Sequence, residues 1–359
     1  MLIELLNNIM QRPGVSDVAL CASDYLWYRQ HGSMEREDCV IKQDELVDTL
    51  RRISPKFVNS HDVIDQIKSS AKGSLPFGCS LGTLRMRGDA AFAEQNLCVF
   101  LRRLAADIPS PEALGLPDTL VSLVSTRPQG LILVTGPTGS GKSSTLAALL
   151  DYVNQRQKKH ILTLEDPIEY PLKSNSCRVT RREIGDDVPG FSLGVQNSLR
   201  HDPDIIVVGE IKDADTTRAA LQASETGHLV LGTLHTNSST ETVKRLYELA
   251  GGDTYTVYRH IIGNNLLAVF SQQLVPTIKP GRTLAYELFI NSFATRKLIR
   301  EGSFDRLYAQ IENDPKGGHV LMHKMLQSLI QRQLITRDSA FAAAHELALE
   351  RLQAELRAV

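Results

Sequence analysis

The sequence predicts an α/β protein in which a small α+β domain precedes a larger domain built on a parallel sheet. Three observations support this prediction. A glycine-rich stretch at 136–143 follows an apolar run and opens a helix-prone segment. Further short apolar runs alternate with polar helical stretches, which is typical of buried parallel strands. Strand-like runs with short turns come before the glycine-rich stretch, and a proline-rich segment separates the two parts.

Residues 1 to about 105 are expected to form the first domain. An amphipathic start at 1–10 reads as a helix, and 44–53 has the spacing of a second helix. The strand-like runs are 16–20, 25–29, 83–87 and 96–102. Residues 106–118 are predicted to be a linker, because the prolines in this part of the chain interrupt both the helical and the strand periodicity.

Residues 119–359 are expected to form the second domain. Its predicted parallel strands are the apolar runs 131–134, 160–164, 204–208 and 229–234. Ligands of such sheets bind beyond the carboxyl ends of the strands. Besides the glycine-rich stretch, the polar groups that follow these strands include Glu169, Glu210 and His235. Taken together, these groups predict a functional site at this edge of the sheet.

The part from about residue 254 onward is predicted to be mostly helical. A strand-like run at 282–289 interrupts it. The end, 340–359, reads as one helix with an apolar stripe of Leu349, Leu352 and Leu356. We interpret that stripe as internal packing.

The glycine-rich stretch has the spacing G-x-x-x-x-G-K-[ST] between a strand and a helix, which is the setting that a P-loop requires. Glycine lets the backbone N–H groups surround a phosphate, and the N-terminus of the helix adds partial positive charge. Lys142 is expected to contact the β- and γ-phosphates, and the Ser143 hydroxyl to bind Mg²⁺. The predicted nucleotide-binding residues of the loop are Gly136, Pro137, Thr138, Gly139, Ser140, Gly141, Lys142, Ser143 and Ser144. A glycine turn with a coincidental lysine is the alternative, and the complete match favours a nucleoside triphosphate with Mg²⁺.

Composition narrows the classes of protein to consider. The chain is 42% hydrophobic and 23% charged, as ordinary globular proteins are. A net charge of −1 gives no reason to expect a nucleic-acid partner. No apolar run is long enough to span a membrane, and the N-terminus lacks the features of a signal peptide. The five cysteines form no C-x-x-C pair, which predicts reduced thiols in the cytoplasm.

Four stretches resemble the type II/type IV secretion ATPase superfamily, and most closely its PilT-type pilus retraction motors. They are the P-loop, T-L-E-D-P-I-E-Y at 163–170 (the Asp box), D-P-D-I-I-V-V-G-E at 202–210 (Walker B) and T-G-H-L-V-L-G-T-L-H-T at 226–236 (the His box). The resemblance implies a PAS-like N-terminal domain and a RecA-like ATPase domain with a helical C-terminal part. It also implies a homohexamer with ATP between domains and neighbours, at the inner face of the cytoplasmic membrane on an inner-membrane platform protein.

The resemblance assigns roles to individual residues. Glu169 matches the glutamate thought to activate water, and Glu210 is expected to act on the Mg²⁺ shell; the division of labour between them stays open. His235 is expected to sense the γ-phosphate, while His228, seven residues earlier, is expected to be structural. Arg85, Arg87 and Arg102 match arginines that complete the site from the first domain.

The chain also departs from the family pattern at two places. Glu94-Gln95 stand where an arginine is usual, and Ala19 stands where relatives often have histidine.

The segment A-T-R-K-L-I-R-E at 294–301 is similar to the A-I-R-N-L-I-R-E of retraction motors, and no cysteine follows Cys177 to form the zinc site of extension and secretion motors. Both features favour retraction. The alternatives are pilus assembly or secretion, a nucleic-acid translocase, or an inactive partner of a second motor.

Overall fold

The computed structural model describes residues 2–58, 62–70, 73–82, 84–104, 107–252, 256–314 and 317–357. Its contacts divide the chain into two compact units. The first unit comprises Met1–Asp107 together with Pro167–Pro171, and the second comprises Ile108–Asp166 and Leu172–Val359. Among the described residues, no helix has the length and the apolar character needed to cross a membrane.

The first unit is built on a six-stranded antiparallel sheet in the order β3-β2-β1-β6-β5-β4. Its strands are β1 (Val15–Cys21), β2 (Tyr25–Gln30), β3 (Ser33–Val40), β4 (Ser74–Leu81), β5 (Leu84–Ala93) and β6 (Asn96–Arg103). Its helices are α1 (Leu2–Gln11), α2 (Gln43–Ile53), α3 (Pro55–Val58) and α4 (Val63–Lys68). Apolar side chains of the helices and of one face of the sheet form its core. The predicted α+β character is confirmed.

Two strands of this sheet were not predicted from the sequence. The edge strand β3 is exposed over most of its length and carries charges on both faces, so no apolar alternation marks it. The strand β4 contains Pro76 and Gly78, which lower strand propensity. The predicted run 83–87 begins at Thr83, outside the described residues, and β5 extends beyond it through Gly88. A Cβ atom at Gly88 would lie 2.2 Å from the ring of Phe77, so this glycine permits close packing inside the sheet.

The second unit is built on a seven-stranded sheet in the order β13-β12-β7-β11-β10-β8-β9. Its strands are β7 (Gly130–Thr135), β8 (His160–Glu165), β9 (Arg178–Glu183), β10 (Ile205–Val208), β11 (Leu229–Leu234), β12 (Leu266–Pro276) and β13 (Arg282–Ile290). Every pairing is parallel except the one between β12 and β13. The four strands predicted to be parallel are confirmed, with bounds shifted by one residue at most.

Helices cover this sheet. They are α5 (Pro111–Leu114), α6 (Asp118–Thr126), α7 (Lys142–Arg156), α8 (Phe191–Ser198), α9 (Ala214–Glu225), α10 (Ser239–Ala250), α11 (Val257–Asn265), α12 (Phe293–Glu301), α13 (Leu307–Glu312), α14 (Met322–Gln331), α15 (Arg337–Ala343) and α16 (Glu346–Arg357). The central strands β7, β10 and β11 are buried at every position. Each therefore has apolar neighbours on both sheet faces, which explains the uninterrupted apolar runs of the sequence.

The C-terminal part is mostly helical, as predicted, but it differs from the prediction in two details. The strand β12 was not predicted and lies in the part expected to be mostly helical. Its polar residues Ser271 and Gln272 interrupt the apolar run that would otherwise mark a strand. The predicted single helix at 340–359 is two helices, α15 and α16, separated at Ala344 and His345. The His345 ring forms two contacts at this break: its Nδ1 accepts from the backbone N–H of Ala348, and its Nε2 faces the buried carboxylate of Glu287. Val359 lies outside the described residues.

The predicted domain limits fall partly outside the described residues, at Ala105, Ala106 and Thr254. The described part of the predicted linker 106–118 contains α5 and the first residue of α6. The limits therefore remain a prediction.

The expectation that the cysteines are reduced was wrong for one pair. Cys21 and Cys98 lie opposite each other on β1 and β6 and form a disulfide. They are 77 residues apart in the chain, so no sequence spacing identifies the pair. Cys39, Cys79 and Cys177 are free thiols.

Candidate nucleotide site

The glycine-rich loop connects β7 to α7 at the carboxyl edge of the second unit's sheet. Gly136 is buried and has a φ of 139°, a conformation that favours glycine. A Cβ atom there would lie 2.2 Å from the backbone oxygen of Gln272 on β12. Gly141, with a φ of 90°, caps the N-terminus of α7. The loop thus has the strand–loop–helix geometry that the motif requires.

Lys142 is the first residue of α7, and its ammonium group turns back into the loop. Its Nζ donates hydrogen bonds to the carbonyl oxygens of Gly136, at 2.7 Å, and of Pro137, at 3.1 Å. It also lies 3.4 Å from Nδ1 of His235. This arrangement holds a positive charge at the centre of a loop whose peptide groups and helix N-terminus favour an anion.

His235 joins Lys142 to Glu210. Its Nε2 lies 3.4 Å from Oε1 of Glu210, while its Nδ1 faces the Lys142 ammonium. An ammonium has only donors and a carboxylate has only acceptors, so these partners favour the neutral tautomer with the proton on Nε2. The structure therefore brings together three residues that the sequence placed at the ends of different elements.

Buried hydroxyl groups fix the loop that follows His235. Thr236 Oγ1 lies 2.6 Å from Thr242 Oγ1 on α10. Thr242 in turn donates to Thr135 Oγ1, at 3.4 Å, on the strand that leads into the P-loop. Thr135 lies 2.7 Å from Ser271 on β12. This chain of hydroxyl groups connects the His235 loop to the base of the P-loop through the interior of the second unit.

Glu210 follows β10 at the same edge of the sheet. The N–H of Gly209 donates to the carbonyl of Leu164, at 2.8 Å, and the Thr233 hydroxyl donates to the carbonyl of Gly209. A Cβ atom at Gly209 would lie 2.9 Å from the Leu164 oxygen, so glycine is needed for this close approach. Lys212 Nζ lies 3.7 Å from the second oxygen of Glu210. These contacts fix the backbone beside Glu210 and leave its carboxylate half-buried.

The donor set fits a magnesium ion. Ser143 is exposed in the first turn of α7, and Glu210 offers a carboxylate. The described residues contain no group of three or more His, Cys, Asp or Glu side chains able to hold a metal. Mg²⁺ needs no such group, since it keeps several waters and binds nucleotides through one or two protein oxygens and the phosphates.

The remaining predicted site residues belong to the first unit. Glu169 is half-buried in the segment Pro167–Pro171, which groups with that unit. Arg87 and Arg102 are directly opposite each other on β5 and β6. Arg85 is two residues before Arg87, and therefore lies on the same face of the strand. The structure thus places the three arginines on one sheet face.

That face carries a groove of about 430 Å³, lined in part by Arg29, Arg87, Arg102 and Phe100. Arg102 Nε lies 2.6 Å from Oδ1 of Asp17. Burial acts to raise the pKa of Asp17, but hydrogen bonds from Ser16 and Arg102 and the charge of the arginines lower it. Asp17 therefore neutralises only part of the positive charge on this face.

The departures from the family pattern have definite places in the structure. Glu94 and Gln95, with φ of 48° and 66°, form the two-residue turn between β5 and β6. Ala19 is opposite Phe100 on the sheet. His228 is at the start of β11, opposite the His235 end, where its Nδ1 contacts the carbonyl of Ala223 at 3.2 Å. This contact supports the expected structural role of His228.

A family profile described as "Type II/IV secretion system protein" matches residues 99–342, more than half of the sequence. The chain belongs to this family. It is 41% identical over 259 residues to the type IV pilus retraction ATPase PilT of Pseudomonas aeruginosa. This alignment covers 72% of this chain and 75% of that protein. It is 37% identical over 257 residues to a twitching motility protein of Neisseria gonorrhoeae, covering 71% and 68% of the two chains.

A solved structure supports the same relationship. The crystal structure of the pilus retraction motor PilT with bound ADP aligns with a TM-score of 0.87 and 35% identity, over 97% of this chain and 98% of that one. These similarities confirm the family resemblance and the predicted fold class, in which a small sheet domain precedes an ATPase domain with C-terminal helices.

Sequence reasoning missed one residue that contacts the P-loop directly. Gln272 lies on β12, which was expected to be helical. The local signal was only partial, since apolar, strand-forming residues flank the polar residues Ser271 and Gln272 within β12.

Proposed function

We propose that this protein is a motor ATPase that couples the hydrolysis of Mg-ATP to the retraction of type IV pili. The observation that carries the ATPase part is the contact series from Lys142 through His235 to Glu210, at the open edge of a P-loop sheet. The names of the similar proteins, a pilus retraction ATPase and a twitching motility protein, support the retraction part.

Hydrolysis transfers the γ-phosphoryl group to water, giving ADP and phosphate, and needs charge neutralisation and a positioned water. In our proposal, Lys142 neutralises the transferring phosphate and Glu169 orients and deprotonates the water. Ser143 and Glu210 hold Mg²⁺, which neutralises phosphate charge when bound. Arg85, Arg87 and Arg102 provide further positive charge from the first unit.

His235 is proposed to report the state of the γ-phosphate. Its Nδ1 and the loop carbonyls share the Lys142 ammonium in the structure. A phosphate would attract the same ammonium, so His235 would lose a partner while its contact to Glu210 remains. This exchange would link phosphate binding to the loop that precedes α10.

The segment that resembles the retraction motif forms α12. Thr295 and Ser292 make a reciprocal capping box at its N-terminus, and Thr295 is fully buried. The threonine that replaces isoleucine of the family pattern thus has a local structural reason, because it satisfies N-terminal backbone groups. This departure is compatible with the retraction assignment.

We further propose a homohexamer that works at the inner face of the cytoplasmic membrane on an inner-membrane platform protein. Deletion of the gene tests whether the motor retracts pili, assembles them or serves secretion. Hyperpiliated cells without twitching motility are expected, and only the wild-type gene, not a Lys142→Ala version, should restore retraction. Bald cells would instead assign the protein to pilus assembly, and normal piliation would point to secretion. A many-fold stimulation of turnover by DNA or RNA would favour a translocase.

A further inference from the structure

Gln272 lies directly beneath the P-loop. On β12, Ser271 is paired with Thr135, the last residue of β7, so Gln272 is the next residue along and faces the loop that follows. Its side chain is 2% exposed, although it ends in an amide with two donor and two acceptor positions. A buried amide of this kind is expected to have specific hydrogen-bond partners.

Both partners of this amide belong to the phosphate-binding structure. Nε2 donates to the carbonyl oxygen of Ser140, at 2.6 Å, and Oε1 accepts from the Thr145 hydroxyl, at 2.8 Å. Ser140 lies inside the loop and Thr145 in the first turn of α7. A carbonyl can only accept, so the Ser140 contact fixes which end of the amide faces the loop. One side chain therefore joins the two segments that meet at Lys142.

The backbone of β12 supports the loop as well. A Cβ atom at Gly136 would lie 2.2 Å from the Gln272 oxygen, and one at Gly141 would lie 3.3 Å from Gln272 Nε2. Two glycines of the motif thus pack against Gln272. Their small size permits this packing in addition to the approach of a phosphate.

We propose that Gln272 is a positioning residue for nucleotide binding, acting through Ser140 and Thr145. By holding the Ser140 carbonyl inward, it keeps the neighbouring N–H groups of the loop free to face a phosphate before the nucleotide arrives. Donors that are ordered in advance require no reorganisation on binding, whereas a loose loop must lose conformational entropy at that moment. This inference rests on the proposed nucleotide site.

The first test is Gln272→Leu in the full chain. We expect the Kd for a fluorescent ADP analogue and the KM for ATP to rise about tenfold, because a buried carbonyl and a hydroxyl lose their partner. The value of kcat should change by a smaller factor than the KM. Gln273→Leu, a substitution at the next and partly exposed position of β12, is the matched control and should leave both constants unchanged.

The second test uses Thr145. Thr145→Val replaces the hydroxyl with a methyl group of similar size and should also raise the ADP Kd, whereas Thr145→Ser keeps the hydroxyl and should retain the wild-type value. The effects of Thr145→Val and Gln272→Leu should be non-additive, since both break the same bridge. Additive effects would overturn the proposal. An unchanged Kd in Thr145→Val would also overturn it, and this measurement remains possible even if Gln272→Leu fails to fold.

The outcomes also separate this inference from the proposed function. If the wild-type chain binds ADP and Lys142→Ala binds it more weakly, while Gln272→Leu binds normally, the nucleotide site stands and the role of Gln272 is wrong. If the wild-type chain binds no ADP, the proposed function itself fails.

Discussion

The buried carboxylate of Glu287 anchors the start of α10, directly after the His235 loop. It is 1% exposed and accepts hydrogen bonds from the backbone N–H of Ser239, at 2.8 Å, and from the Ser239 hydroxyl, at 2.5 Å. Its other oxygen lies 3.2 Å from Nε2 of His345. Burial acts to raise the pKa of Glu287, but the His345 and Ser239 contacts outweigh it and hold the pKa below the ordinary 4.5. Glu287 is therefore a buried anion supported by His345.

We predict that His345→Ala destabilises the second unit. Removing a hydrogen-bond donor from a charged acceptor such as the buried Glu287 carboxylate costs about 1.5–3 kcal/mol. Because both Ser239 bonds remain, we expect the lower end of that range, about 1.5 kcal/mol, as the loss in the free energy of unfolding. A further consequence is a looser start of α10 and of the His235 loop.

Urea unfolding of the full chain measures this loss. Far-UV circular dichroism follows the helices, most of which belong to the second unit, and the single tryptophan, Trp27 on β2, reports the first unit by fluorescence. His260→Ala, at an exposed position of α11, is the matched control and should change the free energy by less than about 0.5 kcal/mol. A loss in His345→Ala no larger than in this control would refute the reasoning.

The pH dependence of the free energy of unfolding gives a second test of the Glu287 assignment. Folding lowers the pKa of Glu287, so its contribution to stability is complete above 4.5 and is lost as the pH falls through the lower folded-state pKa. The stability advantage of the wild-type chain over Glu287→Gln should therefore shrink as the pH is lowered below 4.5. An advantage that is unchanged in acid would contradict the assignment.

Further predictions concern catalysis and assembly. Glu169→Gln and Glu210→Gln should still bind ATP but lose about 100-fold or more in turnover, the scale of general-base loss; normal hydrolysis by Glu169→Gln would mean that the base is misassigned. His235→Ala should bind ADP with wild-type affinity and hydrolyse ATP more slowly, and a changed ADP affinity would argue against γ-phosphate sensing. Specific activity should rise with protein concentration as rings assemble, and light scattering should show a parallel rise in particle size. A fully active monomer would exclude a site shared between subunits.

Much of the second unit could be predicted because its signals are local. The strands β7, β8, β10 and β11 are buried on both faces, so each is an apolar run that needs no knowledge of its neighbours. The P-loop likewise combines a strand, a glycine pattern and a helix within one short segment. The meeting of Lys142, His235 and Glu210 followed from a topological rule, since parallel strands bring their carboxyl ends to one edge.

The features that were missed depend on distant residues. Gln272 and Ser271 are polar, and only their partners at Ser140, Thr145 and Thr135 make a buried strand possible there. The break between α15 and α16 similarly depends on His345 reaching Glu287, 58 residues away.

Long-range pairing also explains the other errors in the first unit. The strand β3 is stabilised by pairing with β2 rather than by an apolar face of its own. The disulfide of Cys21 and Cys98 arises because β1 and β6 are neighbours in the sheet. Neither relationship is visible in the local pattern of the chain.

Phosphate release from ATP by the purified full-length protein tests the central claim most directly. The wild-type chain should release phosphate in the presence of Mg²⁺, and Lys142→Ala, folded to the same extent by circular dichroism, should release none above background and bind ATP more weakly. The reason is that this substitution deletes the charge held at the centre of the loop, 2.7 Å from the Gly136 carbonyl. A Lys142→Ala protein that hydrolyses ATP at a near wild-type rate would contradict the account.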